Sequence, residues 1–204
     1  GMKNTSFVTS TGLPVEDLGP YAPQSEQKEN MMSARDSAIL ARALIRDFPE
    51  ALEYSKIPEL AFREGMPNVI KKKNYNWMLP GLLSYYPGVD GLKTGYTSAA
   101  GYCFTGTATR DDMRLISVVM GTSSELKRFE ETKKLFDYGF SNFKLTKKVE
   151  KGAAVKGFET APVKNGVDLT VPAVTSKEVN VLTKIGEDTK FTPVVTFQDL
   201  NAPL

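Results

Sequence analysis

The sequence predicts an α+β fold in which an antiparallel sheet with packed helices is followed by a small all-β domain. Three observations carry this. Two stretches, one after Ser33 and one after Glu125, have apolar residues at three- and four-residue spacing and read as helices. Between them, two β-branched runs flank Arg110-Asp111-Asp112-Met113 and read as a hairpin. Beyond residue 145 the chain becomes a series of short β-type runs broken by Gly, Pro and Asn.

Taken in order, the segment from Phe7 to Glu29 is rich in Pro, Gly, Ser and Thr and reads as loop. Ser33 has the chemistry of a helix N-cap, with Asp36 placed to reach back toward it. From there Ile39, Leu40, Ala43, Leu44 and Phe48 give a helix its apolar face, ending near Asp47-Phe48-Pro49. Residues 50 to 88 are less regular, with Pro58, Gly65-Met66-Pro67 and Pro80-Gly81 as breakers. Gly101 to Thr109 and Arg114 to Gly121 are the two hairpin strands, the second a buried one. Glu125 to Phe140 returns to helical spacing, with Phe129, Thr132, Leu135, Phe136 and Phe140 on one side. The order helix, linker, strand, strand, helix suits helices packed on an antiparallel sheet.

A domain boundary is expected near Phe143 to Lys148, dividing residues 1–145 from residues 146–204. The β runs of the second domain (around Val163, Val167, Val179 and Phe191) stop mid-pattern at Asn201-Ala202-Pro203-Leu204, so a truncated unit is expected.

Composition narrows the function. With 26 basic and 24 acidic residues the net charge is +2, which gives no support for nucleic acid as a partner. The run Lys71-Lys72-Lys73 reads as a solvated loop. The chain has no histidine. That excludes a Ser-His-Asp triad and removes the commonest ligand of catalytic zinc, so any hydrolytic base must be lysine, tyrosine or a carboxylate. The single cysteine, Cys103, cannot form an intrachain disulfide. It sits between Tyr102 and Phe104 and is expected to be a buried small hydrophobe; without a histidine base it is not read as a catalytic nucleophile. No apolar stretch approaches the ~20 residues that cross a bilayer. Nor does Gly1-Met2-Lys3-Asn4 read as a signal peptide, so the protein is either cytoplasmic or has its targeting segments outside this chain.

The stretch with chemistry in it is Val89-Asp90-Gly91-Leu92-Lys93-Thr94-Gly95-Tyr96-Thr97. It sits where a strand would lead into the hairpin. Gly95 lets a ligand or another backbone approach closely, Lys93 puts a positive charge beside that gap, and Thr94 offers a hydroxyl to a carboxylate. Such an edge could hold a peptide by adding it as a strand, with the charge anchoring its end.

Lys93-Thr94-Gly95 resembles the third active-site motif of the penicillin-binding proteins and serine β-lactamases, which share Ser-x-x-Lys, Ser-x-Asn and Lys-Thr-Gly. The likeness extends to Gly1–Phe7 with Thr11-Gly12-Leu13, to Ser33-Ala34-Arg35-Asp36, to Tyr86–Gly91 and to Met113–Gly121. These segments are similar to the low-molecular-weight D-alanyl-D-alanine carboxypeptidases, and the tail is similar to the β-rich second domain of that group. The resemblance implies a penicillin-binding protein fold, here incomplete, and hydrolysis of the terminal D-alanine of peptidoglycan pentapeptides through a serine acyl-enzyme. It implies no metal and no organic cofactor. The partners would be the peptidoglycan stem peptide and β-lactams, and the location extracytoplasmic, in the cell envelope, on a membrane-anchored parent.

By position, Lys93 would stabilise negative charge at the acyl-transfer site, and Thr94 and Thr97 would contact substrate. The backbone N–H of Tyr96 would be one of two oxyanion donors, and Arg128 would grip the terminal carboxylate. For Arg128 a solvated helix charge is the competing reading. Tyr75 falls in a stretch similar to a substrate-side segment of the family but also reads as a surface aromatic. Tyr85 and Tyr86 read as packing residues.

The nucleophile is not where the family has it. Ser-x-x-Lys occurs at Ser25–Lys28, Ser124–Lys127 and Ser141–Lys144, each out of order or context, and Ser-x-Asn occurs nowhere. The chain is therefore expected to begin downstream of both motifs and to form no acyl-enzyme alone. A β-lactamase and a non-catalytic peptidoglycan or envelope binding module are the alternatives.

Overall fold

The computed structural model describes residues 1–27, 29–187 and 190–202 and divides into two compact units, Gly1–Gly139 and Phe140–Leu204. In the first, the sheet is β5 (Val89–Thr97), β6 (Gly101–Arg110) and β7 (Met113–Thr122), antiparallel in the order β5-β6-β7. The β6–β7 turn uses Asp111 and Asp112, both at positive φ, as a two-residue hairpin of primed type requires. Arg114 makes a bidentate pair with Asp90 (2.8 and 2.9 Å) and also donates to Thr107 Oγ1 (2.9 Å), tying β7 to β5 across the central strand.

Helix α1 (Ala34–Asp47) begins at Ser33, whose Oγ accepts from the Asp36 N–H at 3.2 Å. The reciprocal half of the expected cap is absent. Asp36 Oδ2 accepts instead from Asn4 N–H (2.7 Å) and Thr5 Oγ1 (2.8 Å), and Ser33 N–H goes to the Asn4 carbonyl. Asp36 thus pins β1 (Thr5–Ser6), which pairs with β2 (Met31–Met32), against the helix start. Burial opposes its charge, but the bonds from Thr5, Asn4 and Lys3 outweigh that and hold its carboxyl below the ordinary value.

The buried residues of α1 are Asp36, Ser37 and Ala41, while Ile39, Leu40, Leu44 and Phe48 are exposed. The apolar spacing is helical, as expected; Ser37, Leu40, Ala41 and Leu44 face the sheet across a cavity, and the closest approach is at Ser37, whose Oγ lies 2.9 Å from Thr105 Oγ1. The segment expected as loop contains a 3-10 turn at Val15–Tyr21, with Pro14 before it and Gly19-Pro20 inside. The irregular 50–88 region holds a short helix α2 (Ala51–Ser55) and a hairpin of β3 (Glu59–Phe62) and β4 (Ile70–Lys73). Lys71-Lys72-Lys73 is therefore strand, not loop, although fully solvated as expected. It was illegible because neither face of that hairpin is buried, so no apolar alternation marks it.

Helix α3 (Glu125–Asn142) buries Arg128, Phe129, Thr132, Phe136 and Gly139. Leu135, expected on that face, is exposed. Phe129 packs edge-on against Phe104 at 5.2 Å and beside Trp77 at 5.6 Å, and Phe136 against Tyr86 at 5.5 Å. Gly139 is buried because Leu115 of β7 occupies the place a Cβ would take.

Among the described residues the second unit holds two small sheets. β8 (Phe143–Val149) pairs antiparallel with β11 (Val179–Lys184), and β9 (Thr160–Lys164) lies between β10 (Thr170–Pro172), antiparallel, and β12 (Leu200–Asn201), parallel. Among the described residues, Ala161 and Val163 are its buried apolar ones. Pro203 and Leu204, part of the terminal run read from the sequence, lie outside the described residues.

Candidate active site

Strand β5 is an edge strand, and Lys93-Thr94-Gly95 lies at its middle, paired with Thr105, Phe104 and Cys103 of β6. Lys93 is exposed and Thr94 half-buried. At Gly95 a Cβ would meet nothing within 4 Å, so the floor there is open. A cleft of about 560 Å³ covers this floor, lined by Lys93 to Thr97, by Thr11–Leu13, by Tyr75, Tyr102 and Cys103, and by Glu125 and Arg128. The structure thus brings Lys93, Thr94, Gly95, Tyr96, Thr97 and Arg128 to one surface from two elements distant in sequence.

Arg128 is only 3% exposed, so the competing reading as a solvated helix charge does not hold. Its Nη2 donates to Glu125 Oε1 at 2.7 Å, its guanidinium lies over the rings of Phe129 (4.8 Å) and Tyr102 (5.6 Å), and its Nε–H has no partner among the described residues. Burial pushes the guanidinium below its ordinary value, opposed by Glu125; the group stays cationic because arginine does not lose its proton in proteins. An unpaired, charged donor buried at the edge of a cleft is a costly feature unless something arrives to accept from it.

Tyr75 projects into the cleft because its neighbours are fixed. Asn74 Nδ2 donates to the Ser55 and Ile57 carbonyls (3.2 and 3.0 Å), and Asn76, 1% exposed, donates to the Gly91 carbonyl at 3.3 Å. Tyr75 itself is 71% exposed. Tyr96 stacks on Tyr102 at 4.3 Å. Tyr86 is buried and donates its hydroxyl to Asp137 at 2.7 Å, in keeping with a packing role, while Tyr85 is exposed.

Cys103 corrects one expectation. It is half-buried, not buried, and it lines the cleft, paired with Gly95 across β5 and β6, where no side chain covers it from the β5 side. Glu125 and Cys103 are cleft residues that sequence reasoning missed as such; a motif search sees strand residues in series, not those brought alongside by a neighbouring strand or helix.

Among the described residues no serine lines the cleft. Ser25 lies in the segment after the 3-10 turn, Ser124 immediately precedes α3, and Ser141 is in the second unit. Lys28, partner of Ser25 in the first literal match, lies outside the described residues.

Residues 1–124 match the family model of the D-alanyl-D-alanine carboxypeptidases, and residues 143–204 match that of the penicillin-binding protein 5 C-terminal domain. The first span contains Lys93 to Thr97; Arg128 falls between the two. The chain is 36% identical over 191 residues to D-alanyl-D-alanine carboxypeptidase DacF of Bacillus subtilis, covering 92% of this chain and 43% of that protein. Its structure is similar to a peptidoglycan synthesis regulatory factor (PBP3) of Streptococcus pneumoniae, with a TM-score of 0.85 at 36% identity, over 100% of this chain and 56% of that one. It is also similar to penicillin-binding protein D2 of Listeria monocytogenes, solved with cefotaxime bound (TM-score 0.55, 35% identity, 69% of this chain and 50% of that one). The chain thus spans less than half the length of the curated relative, and more than half of it matches one family model: it belongs to the D-alanyl-D-alanine carboxypeptidase family.

Proposed function

We propose that this chain supplies the carboxylate- and oxyanion-binding wall of a serine-type D-alanyl-D-alanine carboxypeptidase. The observation that carries the reading is the convergence of Lys93-Thr94-Gly95 on an open edge strand with the buried, incompletely paired Arg128, in one cleft. A peptide ending in D-Ala-D-Ala lies along β5, with its terminal carboxylate toward Arg128 and the hydroxyls of Thr94 and Thr97. A bidentate guanidinium grip suits that planar anion. The backbone N–H of Tyr96 meets charge that develops on the scissile carbonyl oxygen, an interaction worth about 3–4 kcal/mol because it exists only in the transition state. Lys93 adds positive potential to the same place.

The nucleophilic serine and its lysine base come from sequence outside these 204 residues, a reading supported by the chain's covering only 43% of DacF of Bacillus subtilis. On this reading the chain alone forms no acyl-enzyme, whereas the intact gene product releases D-alanine from peptidoglycan pentapeptides and is acylated by β-lactams, whose strained amide imitates the acyl-D-Ala-D-Ala backbone. Its substrate places the activity in the cell envelope, on a parent held at the membrane. Among the described residues no helix is long and apolar enough to cross a membrane.

The test is acylation by a fluorescent penicillin and release of D-alanine from diacetyl-L-Lys-D-Ala-D-Ala, measured on the intact gene product and on its Thr94→Val and Arg128→Gln variants. The reading expects both activities in the parent and a large loss of D-alanine release in each variant. Unchanged release in both variants would remove it. The non-catalytic alternative predicts muropeptide binding with no covalent adduct in the intact product.

A further inference from the structure

Cys103 is half-buried on the floor of the cleft, opposite Gly95 across β5 and β6, and a Cβ at Gly95 would meet nothing. Its Sγ has only weak contacts, 3.5 Å to the Ala100 carbonyl and 3.7 Å to that of Gly101. The same cleft holds a second, independent feature that asks for a ligand. Arg128 is 97% buried, by its 3% exposure, its Nε–H is unpaired among the described residues, and it lines the same cleft as Cys103. Lys93, whose Nζ donates to the Thr94 carbonyl at 2.7 Å, adds a second cation on the exposed side. Glu125 is the one carboxylate lining the cleft among the described residues, and it is engaged by Arg128.

We propose that Cys103 is a modification site at which a small anionic disulfide of the glutathione type docks its carboxylates on Arg128 and Lys93 and exchanges with the thiol. The proposal rests on reading the cleft as a carboxylate site. In the exchange, the Cys103 thiol gives its proton to solvent and the sulfur attacks one sulfur of the bound disulfide. A bond forms between Cys103 Sγ and that sulfur; the ligand's S–S bond breaks, and its other half leaves as a thiolate with the electron pair. Cys103 is oxidised, the departing thiol is reduced, and the mixed disulfide lies over Gly95, where it blocks the cleft until a thiol reverses it.

Charge selectivity tests this on the 204-residue chain. Glutathione disulfide, anionic, and cystamine, cationic, are each reacted with the folded chain and with the same chain unfolded in guanidinium chloride. Adducts are followed by mass spectrometry, and the single cysteine makes their assignment unambiguous. With folded rates divided by unfolded ones, glutathione disulfide is expected to exceed cystamine about tenfold, as local cation focusing predicts. The ratio should fall toward one in Arg128→Gln and in Lys93→Gln, the second keeping the test open where the first does not fold. Equal normalised rates in the unaltered chain, or no glutathione adduct on the folded chain, would overturn the proposal. Saturating diacetyl-L-Lys-D-Ala-D-Ala separates the two readings. Charge selectivity without protection keeps the modification site and removes the D-alanine reading; protection without charge selectivity does the reverse.

Discussion

Arg128 spends one guanidinium nitrogen on Glu125, at 2.7 Å, and keeps its Nε–H unpaired in a place water barely reaches. Glu125 is one turn earlier on the same helix, so the pair fixes where the guanidinium points without exhausting its donors.

The first prediction follows from that arrangement. Arg128→Gln should weaken binding of an acyl-D-Ala-D-Ala peptide by about 10- to 100-fold, the loss of a charged hydrogen bond worth ~1.5–3 kcal/mol. Arg128→Lys keeps the charge but not the fork and should recover only part of it. Titration calorimetry gives the ratios, and equal affinity of Arg128→Gln and the unaltered chain would refute the assigned role.

Asp36 sets an acid limit on the first unit. Its carboxyl is held below the ordinary value, so the stability it confers is complete above the ordinary carboxylate range and is lost as pH falls through its lowered value. In Asp36→Asn that part of the acid dependence should disappear. Chemical denaturation at several pH values below 5 checks this; parallel curves for the two proteins would contradict it.

Tyr86 sets an alkaline limit. Burial first, and then its bond to Asp137, push its phenol up to about 12, against a nearby Arg110 that pulls the other way. The fold holds the phenolic proton more tightly than the unfolded chain does. Stability is therefore full below pH 10 and declines by roughly 2–3 kcal/mol as pH rises toward 12. Tyr86→Phe should be less stable at neutral pH yet lack this decline, measured by urea unfolding between pH 9 and 12.

Gly139→Ala separates helix propensity from packing. In an open helix the change gains up to about 1 kcal/mol, but here the new methyl meets the tip of the half-buried Leu115 side chain, which must be displaced. A net loss of about 1–3 kcal/mol is expected, relieved when combined with Leu115→Ala. A thermal melt showing stabilisation by Gly139→Ala would mean that α3 and β7 do not pack as described.

Much of this molecule was legible in the sequence where periodicity and turn chemistry agreed. Ser33 as a cap and the Asp111-Asp112 turn follow from local backbone chemistry, and the Phe129, Thr132, Phe136 stripe combines helical spacing with burial. The signal failed where burial and local pattern part company. The β3–β4 hairpin is solvated on both faces, so its lysines looked like loop, and α1 buries its small residues while Leu40 and Leu44, though turned to the sheet, stay exposed. In the site, Lys93 to Thr97 was readable because it is contiguous. Glu125 and Cys103 were not, because only the strand register and the α3 contact bring them there.

The claim that this chain holds a carboxylate-binding wall is tested most directly by an amide NMR titration of the 204-residue protein. Diacetyl-L-Lys-D-Ala-D-Ala is compared with the same peptide amidated at its C-terminus. The account predicts saturable shifts at Gly95, Tyr96 and the Arg128 Nε–H with the free carboxylate, and loss of the Arg128 response with the amide. Equal responses to both peptides, or shifts confined to residues away from β5 and Arg128, would contradict it.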